Sequence, residues 1–280
     1  MAVKILKPTT QSQRGTILID NSKVVTRKTP EKTLVKDIKK NSGRSKGKIS
    51  VRHKGGGVKK LYRMVDFKRS VRDVPGKIAS IEYDPNRNVF ISLVVYENGL
   101  KRYNLTPKGV KVGKKVIVSE DAPIEAGSSM PIGKIPAGTE VHNIEVNPGS
   151  GGSLVRSAGN SATIMGTVGD KVQLRMPSKE IRLINAKSYA TIGALSNTDM
   201  KNVRIGKAGR NRRKGVRPTV RGMVMPPNAH PHGGGEGKGQ IGHVVQDVYG
   251  NVRGVKTRRK KHRYTKNILV SRKGRKITAK

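Results

Sequence analysis

Residues 77–105 read KIASIEYDPNRNVFISLVVYENGLKRYNL, and the fold class follows from this stretch. Lys77 to Tyr83 alternates apolar and polar side chains, the pattern of a strand with one buried face. Asp84-Pro85-Asn86-Arg87-Asn88 has turn chemistry, and Val89 to Tyr96 is a β-branched and aromatic run. Asn98-Gly99 is a hairpin signal, because a type I′ turn needs positive φ at both central residues. Leu100 to Leu105 is then the returning strand. With one strand upstream near Leu61 to Lys68 and one downstream at Lys114 to Val118, the region holds about five short strands, as in a small Greek-key barrel of the OB-fold type.

A second set of strands follows at Thr139 to Val146, Ser161 to Val168, Lys171 to Met176 and Glu180 to Ile184. Gly138, Asn147-Pro148-Gly149, Gly169-Asp170 and Pro177-Ser178 punctuate them. Gly169-Asp170 is short enough for a tight hairpin, and the strand density suits a second barrel of SH3-like size. Pro123 to Pro131 reads as the linker between the barrels. Helix is scarce; Asn197 to Val203 has room for a turn or two, with Ser196 as a candidate N-cap. The expected architecture is all-β: a basic extension over 1–60, an OB-fold-like domain over 61–122, an SH3-like barrel over 123–200, and a basic, glycine-rich extension over 201–280.

Charge separates the same regions. The 280 residues carry 59 Lys and Arg against 18 Asp and Glu, a formal net charge of +41. Residues 1–60 hold 17 basic and 3 acidic side chains, and residues 201–280 hold 23 and 2. No aromatic residue lies in 1–60, whereas Tyr62, Phe67, Tyr83, Phe90, Tyr96, Tyr103 and Tyr189 all lie in the middle. Such like-charged blocks repel themselves and call for a polyanion, with nucleic acid the leading candidate because its phosphates release counterions on contact. Deleting 1–60 is expected to leave the barrels folded and to weaken RNA binding. There is no cysteine, which excludes disulfides and thiolate metal sites. The opening residues lack the apolar run of a secretory signal, and no apolar stretch is long enough for a transmembrane helix, so no membrane partner is expected.

Four segments carry the candidate chemistry. In the first, Arg44 leads towards Arg52-His53-Lys54-Gly55-Gly56-Gly57, where glycines beside basic residues let backbone amides approach phosphate; an ordinary flexible linker is the plainer reading. The second runs from Val141-His142-Asn143-Ile144-Glu145 through a glycine-rich, pliable loop to Arg156, whose guanidinium suits a phosphate. His142 there reads as a satisfied structural histidine. The third couples the basic run at Arg212 and Arg213 to a proline-stiffened stretch carrying Arg217 and Arg221, either laid along RNA or simply a solvated tail. The fourth is His230-Pro231-His232-Gly233-Gly234-Gly235-Glu236-Gly237-Lys238. His230, His232 and Glu236 have ligand chemistry for a metal, and His230 that of a general base, yet four glycines give a mobile backbone and no second carboxylate is near. An RNA-contacting loop fits better. Three readings therefore compete: an RNA-binding assembly component, a metal-dependent hydrolase or transferase using those three residues, and a DNA-compacting protein argued from charge alone.

Arg52-His53 with Gly55-Gly56-Gly57, Val65-Asp66-Phe67-Lys68-Arg69, Glu82-Tyr83-Asp84-Pro85-Asn86-Arg87, Val141 to Glu145, Arg156-Ser157-Ala158-Gly159, Gly215 to Gly222 and His230 to Gly237 occur in this order. In these motifs the chain resembles the universal second family of large-subunit ribosomal proteins, bacterial or organellar type. The resemblance covers nearly the whole chain. It implies an OB-like barrel followed by an SH3-like barrel, tails embedded in large-subunit rRNA, and support of subunit association and tRNA binding. It also implies that the His230 loop approaches the peptidyl transferase centre, with the chemistry left to RNA. The implied partners are large-subunit rRNA, small-subunit rRNA across the interface, nearby tRNA and other ribosomal proteins. The protein is expected to be no enzyme and to need no cofactor beyond Mg2+ that accompanies rRNA. Its place is a ribosome of the cytoplasm or of an organelle. The rRNA-contacting set expected from motif and charge adds Lys68, Arg69 and Arg87 to the residues already named. Three departures from the family pattern stand out: Val58 after the glycine triplet, Arg213 in place of a Trp, and Asn228-Ala229 before His230.

Overall fold

The computed structural model describes residues 3–38, 41–236, 242–255, 267–271 and 274. Contacts divide the chain into two compact units, one of residues 1–39, 59–207 and 266–280, the other of 40–58 and 208–265. The fold is nearly all-β, an OB-fold-like body and an SH3-like body within the first unit.

The OB-like part is built on an antiparallel sheet in the order Lys115–Val116, Gly76–Glu82, Ile91–Tyr96, Lys101–Leu105. Alternation along Ile91–Tyr96 sends side chains to two cores. Ile91 and Leu93 join Tyr103, Leu105 and Leu34 on one face, while Val94 and Tyr96 join Ile78, Ile81 and Phe90 on the other. The strand is buried on both sides, so it reads as a continuous apolar run. The Asn98-Gly99 hairpin forms, but only Gly99 takes positive φ (+80°). Its amide donates to Tyr96 O (2.9 Å), so the turn is not the I′ type expected.

The SH3-like part uses a larger sheet, ordered Ser129–Pro131, Tyr189–Ile192, Glu140–His142, Ala162–Val168, Lys171–Arg175, Ile181–Asn185, Ile268–Val270. Val141, Ile144, Ile164, Val172 and Leu174 fill its core. Gly169, at φ +55°, turns the tight hairpin that pairs Val168 with Lys171. The expected single strand Thr139 to Val146 is broken at Asn143, whose φ is +48°. Asn tolerates that left-handed geometry, which lets Ile144–Glu145 leave the sheet and pair with Gly152–Leu154. Ser129–Pro131 is an edge strand, so the expected linker ends earlier than Pro131. A 3-10 helix at Thr198–Asn202 has Asn197, not Ser196, as its N-cap.

Residues before 60 contribute to the first unit's core, contrary to the expectation that the barrels fold without them. Leu34 is buried, and Val35–Asp37 pairs with Leu61–Arg63. The buried Tyr103 hydroxyl donates to Glu82 Oε2 (2.7 Å) and accepts from the Glu31 amide (2.8 Å), fastening this segment to the sheet. Burial raises the Tyr103 pKa, so the phenol keeps its proton and remains a donor to the carboxylate.

In the second unit, Arg44–Ser45 and Lys48–Ile49 form a hairpin whose Lys46 and Gly47 both take positive φ. The Gly55–Gly57 segment lies against a stretch that begins with the short helix Ala208–Arg213.

Candidate nucleic-acid interface

In the first unit the motif residues converge on the ring of Phe67. The preceding Asp66 carboxylate accepts the amides of Lys68 (3.0 Å), Arg69 (2.9 Å) and Ser70 (3.1 Å), which fixes a sharp turn with Arg69 at φ +55°. The Arg156 guanidinium sits 3.8 Å from the Phe67 ring centroid, and that of Arg87 lies 5.5 Å from the same ring. Both contacts draw cation to π-face. Asp84 neutralises Arg87 through a 2.6 Å bond to its Nε. Arg156 has no carboxylate partner among the described residues; burial, then the charge of Arg87, lowers its pKa.

The loop leading to Arg156 is clamped, not pliable. The buried Glu145 carboxylate accepts the amides of Gly149 (3.1 Å), Gly151 (2.9 Å) and Tyr189 (3.1 Å). A Cβ on Gly152 would collide with Asn143, so glycine here permits close packing. Lys68 is exposed beside this loop.

Arg69 departs from its expected role. It is 4% exposed, and its Nη2 reaches Thr191 Oγ1 (3.4 Å) inside the protein, so its side chain is withdrawn from any surface phosphate. Desolvation lowers its pKa. His142 lies in the same buried polar region, fully enclosed, with Nδ1–H donating to Gly193 O (2.6 Å) and Nε2 without a partner. Burial, with Arg69 adding a repulsive charge, takes its pKa down to about 3 against the upward pull of the Gly193 bond. The histidine is structural and neutral, though only half satisfied.

The second unit gathers the remaining expected residues. The Gly55 amide donates to Gly215 O (2.8 Å), Val58 N to Arg213 O (2.9 Å), and Arg217 N to His53 O (3.1 Å). At Gly57, φ is +61° and a Cβ would stand 2.7 Å from Arg213 O. The glycines thus allow two backbones to touch, and the Gly55 amide expected at phosphate is already used. Gly56 takes no part in this approach; a Cβ there would make only an ordinary 3.4 Å contact with Ser42 Oγ. Arg212 and Arg213 line a recess with the triplet, and Arg44 stands exposed on its hairpin.

The His230 loop is folded back on itself. Gly233 N donates to His230 O (2.8 Å) and Gly234 N to Met225 O (2.9 Å). A Cβ on Gly233 would strike the Pro226 carbonyl, and one on Gly222 the His230 ring. Gly235 is exposed at φ +79°. His230 Nδ1 accepts the His232 amide (3.0 Å), and His232 Nε2 accepts the Gln246 amide (2.8 Å), so neither nitrogen is available as a base or ligand in this arrangement. The His232 ring also stacks on His243 at 4.8 Å, a residue that sequence reasoning passed over because it lies outside the glycine-rich motif. Among the described residues no group of three His, Cys, Asp or Glu is placed to hold a metal. Lys238 lies outside the described residues.

Arg52, Arg212, Arg213, Arg217 and Arg221 of this unit form no ion pair among the described residues, whose only acids here are Glu236 and Asp247. Planar guanidinium groups left without carboxylates are suited to bidentate phosphate contact. No described helix is long and apolar enough to cross a membrane. Residues 31–118 match the family model described as Ribosomal Proteins L2, RNA binding N-terminal domain. Residues 125–250 match the one described as Ribosomal Proteins L2, C-terminal domain.

Proposed function

Because the chain belongs to the ribosomal protein L2 family, and so is an RNA-binding protein of the large ribosomal subunit, we propose that its two basic clusters bind large-subunit rRNA directly. The observation that carries the proposal is the set of guanidinium groups without carboxylate partners among the described residues, Arg156 on Phe67 in the first unit and Arg52, Arg217 and Arg221 in the second. Phosphates would complete these charges, and the flat faces would take unpaired bases. The two barrels supply rigid support, and the basic stretches at either end of the chain reach into RNA from the points where Val35–Asp37 and Ile268–Val270 are paired into the first unit.

The same reading extends to subunit association, tRNA binding and placement of the His230–Lys238 loop near the peptidyl transferase centre, with small-subunit rRNA, tRNA and other ribosomal proteins as neighbours. What supports the extension is the family resemblance of these motifs. The protein contributes architecture and no chemistry: His230 Nδ1 already accepts a backbone amide, and Ala229 leaves it no adjacent carboxylate. No cofactor of its own is required; Mg2+ in the complex belongs to the rRNA. The ribosome concerned is that of the cytoplasm or of an organelle.

Ultraviolet crosslinking in cells, followed by sequencing of the attached RNA, tests the proposal. Crosslinks concentrated on large-subunit rRNA, with the His230 loop mapping beside the peptidyl transferase centre, are expected. Crosslinks scattered over messenger RNA or DNA would overturn it and favour a general polyanion binder.

A further inference from the structure

The second unit contains a cavity of about 350 Å³ whose apolar interior phosphate binding alone does not account for. Its size falls at the lower end of ligand pockets. Val220, Met223, Met225, Val245 and Val248 give it apolar walls, and His53 and His230 add flat rings. Arg52, Arg221 and Arg253 also line it, so cationic groups stand beside an apolar interior. Val220 and Val245 are 52% and 46% exposed, an apolar surface left open in a polycationic region.

We infer that this cavity accepts the base of an unpaired RNA nucleotide, its phosphates held by the arginines around it. The inference rests on the RNA-binding role proposed above and names what part of the RNA this site takes. A free phosphate would gain nothing from valine and methionine walls. An apolar side chain from a protein partner would fit the walls but would meet uncompensated positive charge. An extruded nucleotide has both parts, a flat base with apolar faces and a flanking anion, and unstacked bases settle on rings and guanidinium planes. The one acid of the lining does not oppose it. Asp247 turns its carboxylate to the amides of Tyr249 (2.8 Å) and Asn251 (2.9 Å) and to the Asn251 side chain (3.1 Å), closing a turn. The lining is also held in place, because the Gln246 amide donates to His232, whose own amide donates to His230.

The test compares two RNA hairpins of one stem sequence, the first with a single bulged 2-aminopurine, the second with that base paired. Full-length protein should prefer the bulged hairpin by about tenfold, equivalent to roughly 1.4 kcal/mol, with a change in 2-aminopurine fluorescence on binding. Val220→Asp and Val245→Asp, both at half-exposed positions, should each bring the preference close to one. Taking the ratio for each variant cancels the general effect of an added negative charge. Equal, salt-sensitive binding of both hairpins by the unaltered protein would overturn the cavity proposal and leave the RNA-binding role standing. A preference that survives in both variants would also overturn it, since the base would then sit elsewhere. Failure to bind either hairpin or a large-subunit rRNA fragment would overturn the direct rRNA binding proposed above.

Discussion

Arg156 shows how much of a contact is shape. Its guanidinium sits over the Phe67 ring, 3.8 Å from the centroid, and lysine would keep the charge but lose the planar face and the fork. Arg156→Lys should therefore weaken binding to an rRNA fragment by about tenfold, measured by filter binding, while leaving the thermal transition in place. His142 gives a separate test. Its folded-state pKa is about 3 against an ordinary 6.5. Below pH 6.5 the unfolded chain takes up a proton there and the folded chain does not. Stability from this site is thus complete above pH 6.5 and is lost as pH falls towards 3, at up to about 1.4 kcal/mol per unit. Between pH 6.5 and 5 the protein should lose about 2 kcal/mol more than a His142→Gln variant, read from denaturant midpoints at each pH. At this scale the sequence disclosed residue type but not exposure. Arg69 and Arg156 both sit in the motifs that carry the family resemblance, yet one is buried against Thr191 and the other lies on Phe67.

Among the elements, the long runs were legible because alternation and β-branched composition are local properties. Gly76–Glu82, Ile91–Tyr96 and Lys171–Arg175 lie within a residue or two of their expected bounds. Ser129–Pro131, Tyr189–Ile192 and Ile268–Val270 were not anticipated, since three or four residues are too few to display a period and their strand state comes from sheet neighbours. The glycine triplet illustrates the same limit. Its sequence announces a backbone that something approaches closely, and the approaching group is another backbone from beyond residue 212. Gly57→Ala should force a Cβ against Arg213 O and strain a positive φ, at a cost of about 1–3 kcal/mol. Faster hydrogen exchange at the Val58 amide, which bonds Arg213 O, is the expected sign; unchanged protection would show that the two segments are held by other contacts.

For the whole molecule, composition spoke plainly about partner and imperfectly about foldability. The formal charge of +41 makes salt the decisive variable. With six to ten phosphates neutralised, affinity for rRNA should drop by about 10³–10⁵ between 50 and 200 mM salt, and a flat salt profile would argue against the proposed role. Foldability was misjudged because the absence of aromatics before residue 60 hid the aliphatic Leu34, which shares a core with Ile91 and Tyr103. Removing residues 1–60 should lower the thermal transition, since losing the Leu34 side chain alone is worth about 2–5 kcal/mol. A truncation that melts like the intact chain would show that the barrels close without it.

The pairing of Gly55–Gly57 with Arg213–Arg217 also has a consequence in time. Roughly 150 residues separate the two segments, and synthesis proceeds at about 5–20 residues per second, so the glycine loop exists for roughly 8–30 seconds before its partner is made. During that interval a nascent polycation stands without the backbone that will later occupy its amides, open to capture by whatever polyanion is within reach.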